Sequence, residues 1–207
     1  MIKEHIDAFK IIANQNTFIS DDSTVSDKAL ILQNTVIIGC SIIKDFAIVG
    51  PNSIVFNSII EENAEVVSSY VFNSLVGKNS LVGPYANLRD KAIIGNNCRI
   101  GNFVEIKKSR LGSNTKASHL AYLGDATIGS FVNMGCGSIT VNYDGHKKHK
   151  TEIGNNSFIG CNVNLVAPIK IGSNTVIGCG STITSDVSDN SLAIARVRQL
   201  EKKDYFL

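Results

Sequence analysis

Charge is scarce in this chain. Asp, Glu, Lys and Arg make up 18% of its 207 residues, and their formal balance is only +2. That is low for a helical protein and natural for one built of tight turns. Its one basic cluster runs from His146 to Lys150, so nucleic-acid binding is not expected. No apolar run approaches the ~18 residues of a membrane span, and no signal peptide opens the chain. The five cysteines have neither zinc-ligand spacing nor the pattern of a disulfide framework. They read as reduced thiols in a cytoplasmic protein. The length suffices for a sizeable core in a single domain.

Apolar residues are present in a rhythm of six. Ile19, Val25, Ile31, Ile37 and Ile43 make one run, and Ile48, Ile54, Ile60, Val66 and Phe72 a second. Val76, Val82, Leu88, Ile94, Ile100 and Ile106 follow. Shorter runs lead to a last one from Ile153 to Ile183. A helix repeats near 3.6 residues and an amphipathic strand at 2, so six fits neither. It fits a short strand and a turn, repeated, with one side chain pointing inward each time. Three such units close a triangular coil, the unit of a solenoid. Gly and Asn at the turns suit corners of positive φ.

The phase slips by one after Ile43, Ile106 and Leu123, and by two after Phe72. Between Thr140 and Ile153 thirteen residues stand in place of six. This reading divides the chain into residues 1–16, with a helix over 2–13; a coil region, 17–188; and an irregular tail, 189–207. The segment 141–152 is polar, basic and turn-prone, so it is expected to protrude from the coils, as functional loops do.

Arg89 and Lys107 are 18 residues apart, one coil, which places them on one face about 4.8 Å apart. Two such cations repel unless an anion lies between them. From spacing alone the pair is either a phosphate site or two solvated side chains. His119 is either a structural histidine or a general base, the role its ordinary pKa near neutrality suits.

The dipeptides Ile94-Gly95, Ile100-Gly101, Leu111-Gly112, Ile153-Gly154 and Ile171-Gly172 resemble the hexapeptide repeats of left-handed parallel β-helix acyltransferases. The resemblance implies an all-β, left-handed parallel β-helix of about nine coils. Three stretches are more specific: GNFVEIKKSRLG at 101–112, SHLAYLGD at 118–125 and ITVNYDG at 139–145. They resemble the C-terminal acetyltransferase domain of the bacterial bifunctional N-acetylglucosamine-1-phosphate uridyltransferase/glucosamine-1-phosphate N-acetyltransferase. The likeness is strong over about residues 80–200.

That resemblance implies acetyl transfer from acetyl-CoA to the amine of glucosamine-1-phosphate, in a cytoplasmic bacterial homotrimer with sites between subunits. His119 falls at the catalytic base. Arg89, Lys107, Tyr122, Asn133 and Lys148 fall at sugar-phosphate positions, with Lys148 expected to reach an adjacent site. Cys136, Asn142, Tyr143, Cys161, Cys179 and Arg196 fall at acyl-donor positions. The main-chain N–H near Cys136 is matched to the developing oxyanion. The three cysteines depart from the family's small Ala and Ser and are read as small apolar filling. No metal is implied for this domain. Magnesium belongs to the uridyltransferase domain, whose Gly-rich basic motif has no counterpart in this sequence. The competing readings are a hexapeptide acyltransferase with another acceptor and a non-catalytic β-helix assembly subunit. A γ-class carbonic anhydrase needs three stacked histidines, and His119 has no such partners in the coils.

Overall fold

A computed structural model of the chain describes residues 16–205, so the helix expected over 2–13 lies outside the described residues. The described residues form a parallel β-solenoid with no helix, the architecture of a hexapeptide-repeat left-handed β-helix. Each coil is a triangle with three faces. Face 1 begins with Phe18–Ile19, Val36–Ile38 and Ile54–Phe56; face 2 with Thr24–Val25, Ile42–Ile43 and Ile59–Ile60; face 3 with Leu30–Ile31, Ile48–Val49 and Glu65–Val66. Face 2 is a sheet of nine strands. Faces 1 and 3 share an 18-stranded sheet, because Arg99–Lys107 and Lys116–Gly124 bend through a corner and serve both. The stack therefore has about ten coils, where the sequence period suggested about nine. The extra strand is Leu192–Ala193, which pairs with Val176–Ile177 inside the segment read as an irregular tail.

Side chains pointing inward form columns that run the length of the prism. Ile37, Ile43, Val49, Val55, Ile60, Val66, Val71 and Val76 are all at most 1% exposed. Each is worth roughly 1.5–3 kcal/mol of burial. These positions correct the phase expected between 48 and 72. Val55 and Val71 point inward, while Ile54 and Phe72 remain partly exposed. The ambiguity arises because the outer face is apolar here too, so Ile54-Val55 and Val71-Phe72 offer two candidates each. The buried residue two positions earlier resolves it: Ala47 before Val49, Ser53 before Val55, Ser69 before Val71. On a strand, alternate residues share a face.

Those small residues also close the corners. Ser58 Oγ donates to the Phe56 carbonyl (2.7 Å) and accepts the N–H of Ser74 from the next coil (2.9 Å). Ser69 and Ala86, Ser80 and Cys98, and Ser109 and Ala126 repeat the coil-to-coil N–H bond. A buried hydroxyl without a partner would be costly, and this ladder supplies the partners. It breaks at Thr151, whose Oγ1 has none and whose neighbour in the next coil is Ile169.

Gly serves two purposes at the corners, sharing positive φ with Asn at some and giving room to the next coil at others. Left-handed positions are filled mainly by asparagine, including Asn34, Asn52, Asn79, Asn97, Asn114 and Asn174. Gly95 has no positive φ; a Cβ there would lie 2.7 Å from Ser113 N and 2.8 Å from Gly112 C. The glycine of the Ile-Gly dipeptide is thus required by the approach of the next coil. Gly95→Ala is expected to destabilise the chain by roughly 1–3 kcal/mol. Asn97→Gly, at φ 55°, should stay within about 0.5 kcal/mol. Urea midpoints measure both, and a neutral Gly95→Ala would refute the close-approach explanation.

Candidate active site

The two nine-residue strands carry the centre of the site. They pair through the corner between faces 3 and 1, from Arg99↔Lys116 to Lys107↔Gly124. Phe103 and Leu120 turn that corner at positive φ. The residue just before it forms a column. Asn102 is in register with His119. The registers on either side, Ala117↔Met134 and Tyr122↔Ile139, stack Cys136 on His119. Asn162 N donates to Cys136 O and Gly180 N to Cys161 O, so Cys161 and Cys179 continue the column. Successive members lie about one strand spacing, ~4.8 Å, apart. Cys161 and Cys179 are neighbours as their spacing implied. Cys136 joins them only because the 141–152 insertion lengthens its coil.

His119 Nδ1 lies 2.9 Å from Asn102 Oδ1. An amide oxygen accepts, so Nδ1 carries the proton of the neutral ring and Nε2 keeps its lone pair. An open cleft of about 500 Å³ follows the corner, lined by Phe103, Glu105, Leu120, Tyr122, Ile139 and Asn162.

Face 1 leads from this cleft to a cationic corner. Arg89 and Lys107 are in register, and Glu105 stands beside Asn87 and Tyr122 in the neighbouring row. The cations do not face each other bare. Glu105 Oε1 accepts from Arg89 Nε at 2.8 Å and from Nη2 at 2.6 Å. Asp90 Oδ2 is 2.9 Å from Arg89 Nη1 and 3.9 Å from Lys107 Nζ. Lys148 comes to Lys107 of its own chain. The folded-back loop brings it there. Lys107 is only 12% exposed in its side chain. The neighbouring Lys148 ammonium, then burial, push its pKa below the ordinary lysine value.

The loop itself is a tight hairpin. Tyr143 and Lys148 form an antiparallel bridge, and His149 N donates to Asn142 O at 2.7 Å. Asp144 closes it by accepting from the N–H groups of His146 and Lys147 at 2.8 Å and from His149 Nε2 at 2.6 Å. Asn142 is buried and donates to Asp125 Oδ2 at 2.6 Å; Tyr122 Oη lies 3.4 Å from the same nitrogen. Tyr143 is exposed, with its hydroxyl donating to Gly145 O. Arg196 lies at the far end of the thiol column, beside Gly180. Asn133 stands apart on face 3, in a row with Lys116 and Phe158. All five cysteines are free, and burial pushes the Cys98 thiol pKa up.

Four residues of the site were not singled out from sequence: Asn102, Asp90, Asp125 and Asp144. Asn102 had a usable signal, because it precedes His119 by 17 residues, one coil shortened by the slip after Ile106. The other three act through corner and loop geometry that no spacing encodes.

Comparison with known proteins places this arrangement. The family described as bacterial transferase hexapeptide (six repeats) matches residues 73–108 and 150–185. The bifunctional protein GlmU of Acholeplasma laidlawii is 62% identical over 151 residues, 73% of this chain and 33% of that protein. GlmU of Caldicellulosiruptor saccharolyticus is 48% identical over 206 residues, 99% of this chain and 44% of that protein. The chain thus spans less than half the length of these curated relatives. The UDP-N-acetylglucosamine acyltransferase of Francisella novicida shares the fold, with a TM-score of 0.55 at 19% identity over 86% of this chain and 67% of that one.

Closure of the loop on Asp144 has a pH signature. The Lys147 N–H, then His149 and the His146 N–H, hold its carboxyl well below the usual range. A lowered pKa means the closure is complete above the ordinary carboxylate value and is lost as pH falls through the lowered one. Asp144→Ala is expected to open the hairpin, seen as faster tryptic cleavage after Lys147 and Lys148 at neutral pH. Cleavage at the wild-type rate would show that Asp144 does not hold the loop. By its repeats and by these identities, the chain belongs to the hexapeptide-repeat acyltransferases, as a domain closely related to bacterial GlmU.

Proposed function

We propose that this domain is a glucosamine-1-phosphate N-acetyltransferase that takes its acetyl group from acetyl-CoA, in the synthesis of UDP-N-acetylglucosamine in the bacterial cytoplasm. One observation carries the reading: His119, held at Nδ1 by Asn102 just before the corner, lies on the same continuous strands as the Arg89–Lys107–Lys148 cluster of face 1, with Glu105 and Tyr122 between them. A base at one end and cations at the other suit a substrate with an amine and a phosphate. Arg supplies the fork geometry that phosphate favours.

In this reading the C2 amine attacks the thioester carbonyl while His119 Nε2 accepts its proton. The C–N bond forms, the tetrahedral oxyanion collapses, and the CoA thiolate leaves. The Cys136 N–H, one coil from His119, is assigned the oxyanion, where a fixed donor acts most strongly. The column Cys136, Cys161 and Cys179 forms the small-residue wall along which the acyl donor lies, with Arg196 toward its phosphates. The thiols are wall residues in this scheme, and no acyl-enzyme forms.

Asn133 contributes only if a second chain brings face 3 to the site. A trimer supplies that chain, with the sites between subunits. The outer rows of the N-terminal coils support association: Ile54, Phe56, Tyr70 and Phe72 on face 1, and Ile42 and Ile59 on face 2, are all at least partly exposed. Light scattering at assay concentration is expected to give three chains. A stable monomer would remove both the trimer and the role of Asn133.

The decisive assay mixes the protein with acetyl-CoA and glucosamine-1-phosphate. It follows released CoA with a thiol reagent, corrected for the protein's own cysteines. Acetyl transfer is expected, with glucosamine lacking the phosphate a poor acceptor. His119→Ala should lower kcat by roughly 10²–10⁴-fold. Equal turnover of both sugars would defeat the phosphate assignment, and an undiminished His119→Ala would defeat the base.

A further inference from the structure

We infer that Asp90 is a displaceable counter-ion built into the phosphate site, one that admits a doubly charged group and turns away singly charged or neutral ones. The inference rests on the reading that Arg89 and Lys107 hold phosphate, and it adds a specificity-determining residue to that site.

The corner after Arg89 differs from those stacked on it. Inward residues are six apart from Leu88 to Ile94, but five apart from Ile106 to Leu111 and from Leu123 to Ile128. The extra residue gives this corner two consecutive left-handed residues, Asp90 at φ 54° and Lys91 at φ 68°. Among the described residues no other pair of adjacent non-glycine residues has positive φ. Aspartate tolerates that conformation and lysine does so poorly. Strained backbone of this kind persists where its surroundings fix it, and it gathers at functional sites.

The result of the longer corner is the position of one oxygen. Asp90 Oδ2 sits between Arg89 Nη1, at 2.9 Å, and Lys107 Nζ, at 3.9 Å. A bridging phosphate oxygen would take that place. Glu105 engages the other edge of the Arg89 guanidinium through Nε and Nη2, so the Nη1 contact with Asp90 is the one a ligand can replace without uncovering the whole side chain. Asp90 remains 49% exposed, so it can turn out to solvent without crossing the packed core. Lys148 adds a third cation; of the other carboxylates that face the cluster, Glu105 is already engaged by Arg89, and Asp125 is shared with Lys108. A dianion brings more charge than Asp90 and wins the exchange. A monoanion brings no more charge and must also do without the covalent tether that holds Asp90 in place.

The test compares the full chain with Asp90→Asn, which keeps the size and the tolerance of positive φ, and with Asp90→Gly, which relieves the corner should the Asn variant misfold. Inorganic phosphate and acetate serve as probes in calorimetry, so binding is read without turnover. Phosphate is expected to bind about two- to fivefold more tightly to the variants. Acetate, ineffective on the wild type, should become a measurable ligand. KM for glucosamine-1-phosphate should fall by a similar factor with kcat within about twofold. Glu152→Gln removes the same charge on face 2, where Glu152 meets Lys150 and Lys170, and should leave phosphate binding unchanged. Unchanged phosphate affinity in both Asp90 variants would overturn the inference. So would an equal gain in Glu152→Gln, which would trace the effect to overall charge. Wild-type protein that binds phosphate but does not acetylate the sugar phosphate would leave Asp90 in place and remove the proposed activity.

Discussion

Everything in this structure depends on backbone hydrogen bonding between one coil and the next. Parallel strands in register, about 4.8 Å apart, convert a position in the sequence into a column along the prism. The inward columns become a continuous core of aliphatic residues that are almost fully buried. A small residue two positions before most of them lets the corner close, and the hydroxyls of Ser58, Ser69, Ser80 and Ser109 tie their corners to the next coil. The glycine after many of the aliphatic residues follows from the same spacing, since a Cβ at Gly95 or Gly112 would strike the neighbouring backbone.

Because the scaffold is columnar, the site is columnar too. Asn102, His119, Cys136, Cys161 and Cys179 occupy one corner position on successive coils. Arg89 and Lys107 occupy another position on face 1. Strand pairing that continues through the corner at Phe103 and Leu120 keeps His119 and the cationic cluster on one continuous piece of sheet. Departures from the repeat supply what the repeat cannot. The seven added residues after Thr140 make a hairpin that returns Lys148 to Lys107. One extra residue after Arg89 places a carboxylate among the cations.

Much of this was legible in the residues. The six-residue period names a solenoid because helices and flat strands have other periods. The separation of Arg89 from Lys107 predicted their shared face, and the thirteen-residue gap marked where the hairpin is inserted. The phase between 48 and 72 was not legible, because Ile54-Val55 and Val71-Phe72 present apolar residues to both sides of the sheet. Glycine's part was legible by half: Gly137 and Gly180 hold the positive φ that corners need, but at Gly95 and Gly112 only the distance to the next coil shows that crowding requires glycine.

By itself the sequence determined the coil, the core-facing chemistry and the residues available for a base and an anion site. Each of these follows from short-range spacing. Tertiary structure alone decided what those residues meet. It turned Lys148 back onto its own Lys107, set Asn133 on a different face and spent the amide of Asn142 on Asp125. It also filled the gap between two cations with Asp90. These depend on corners that differ by one residue and on a loop that folds back. A change of one residue moves a side chain by several ångströms and around an edge of the prism, and no local pattern records which way it goes.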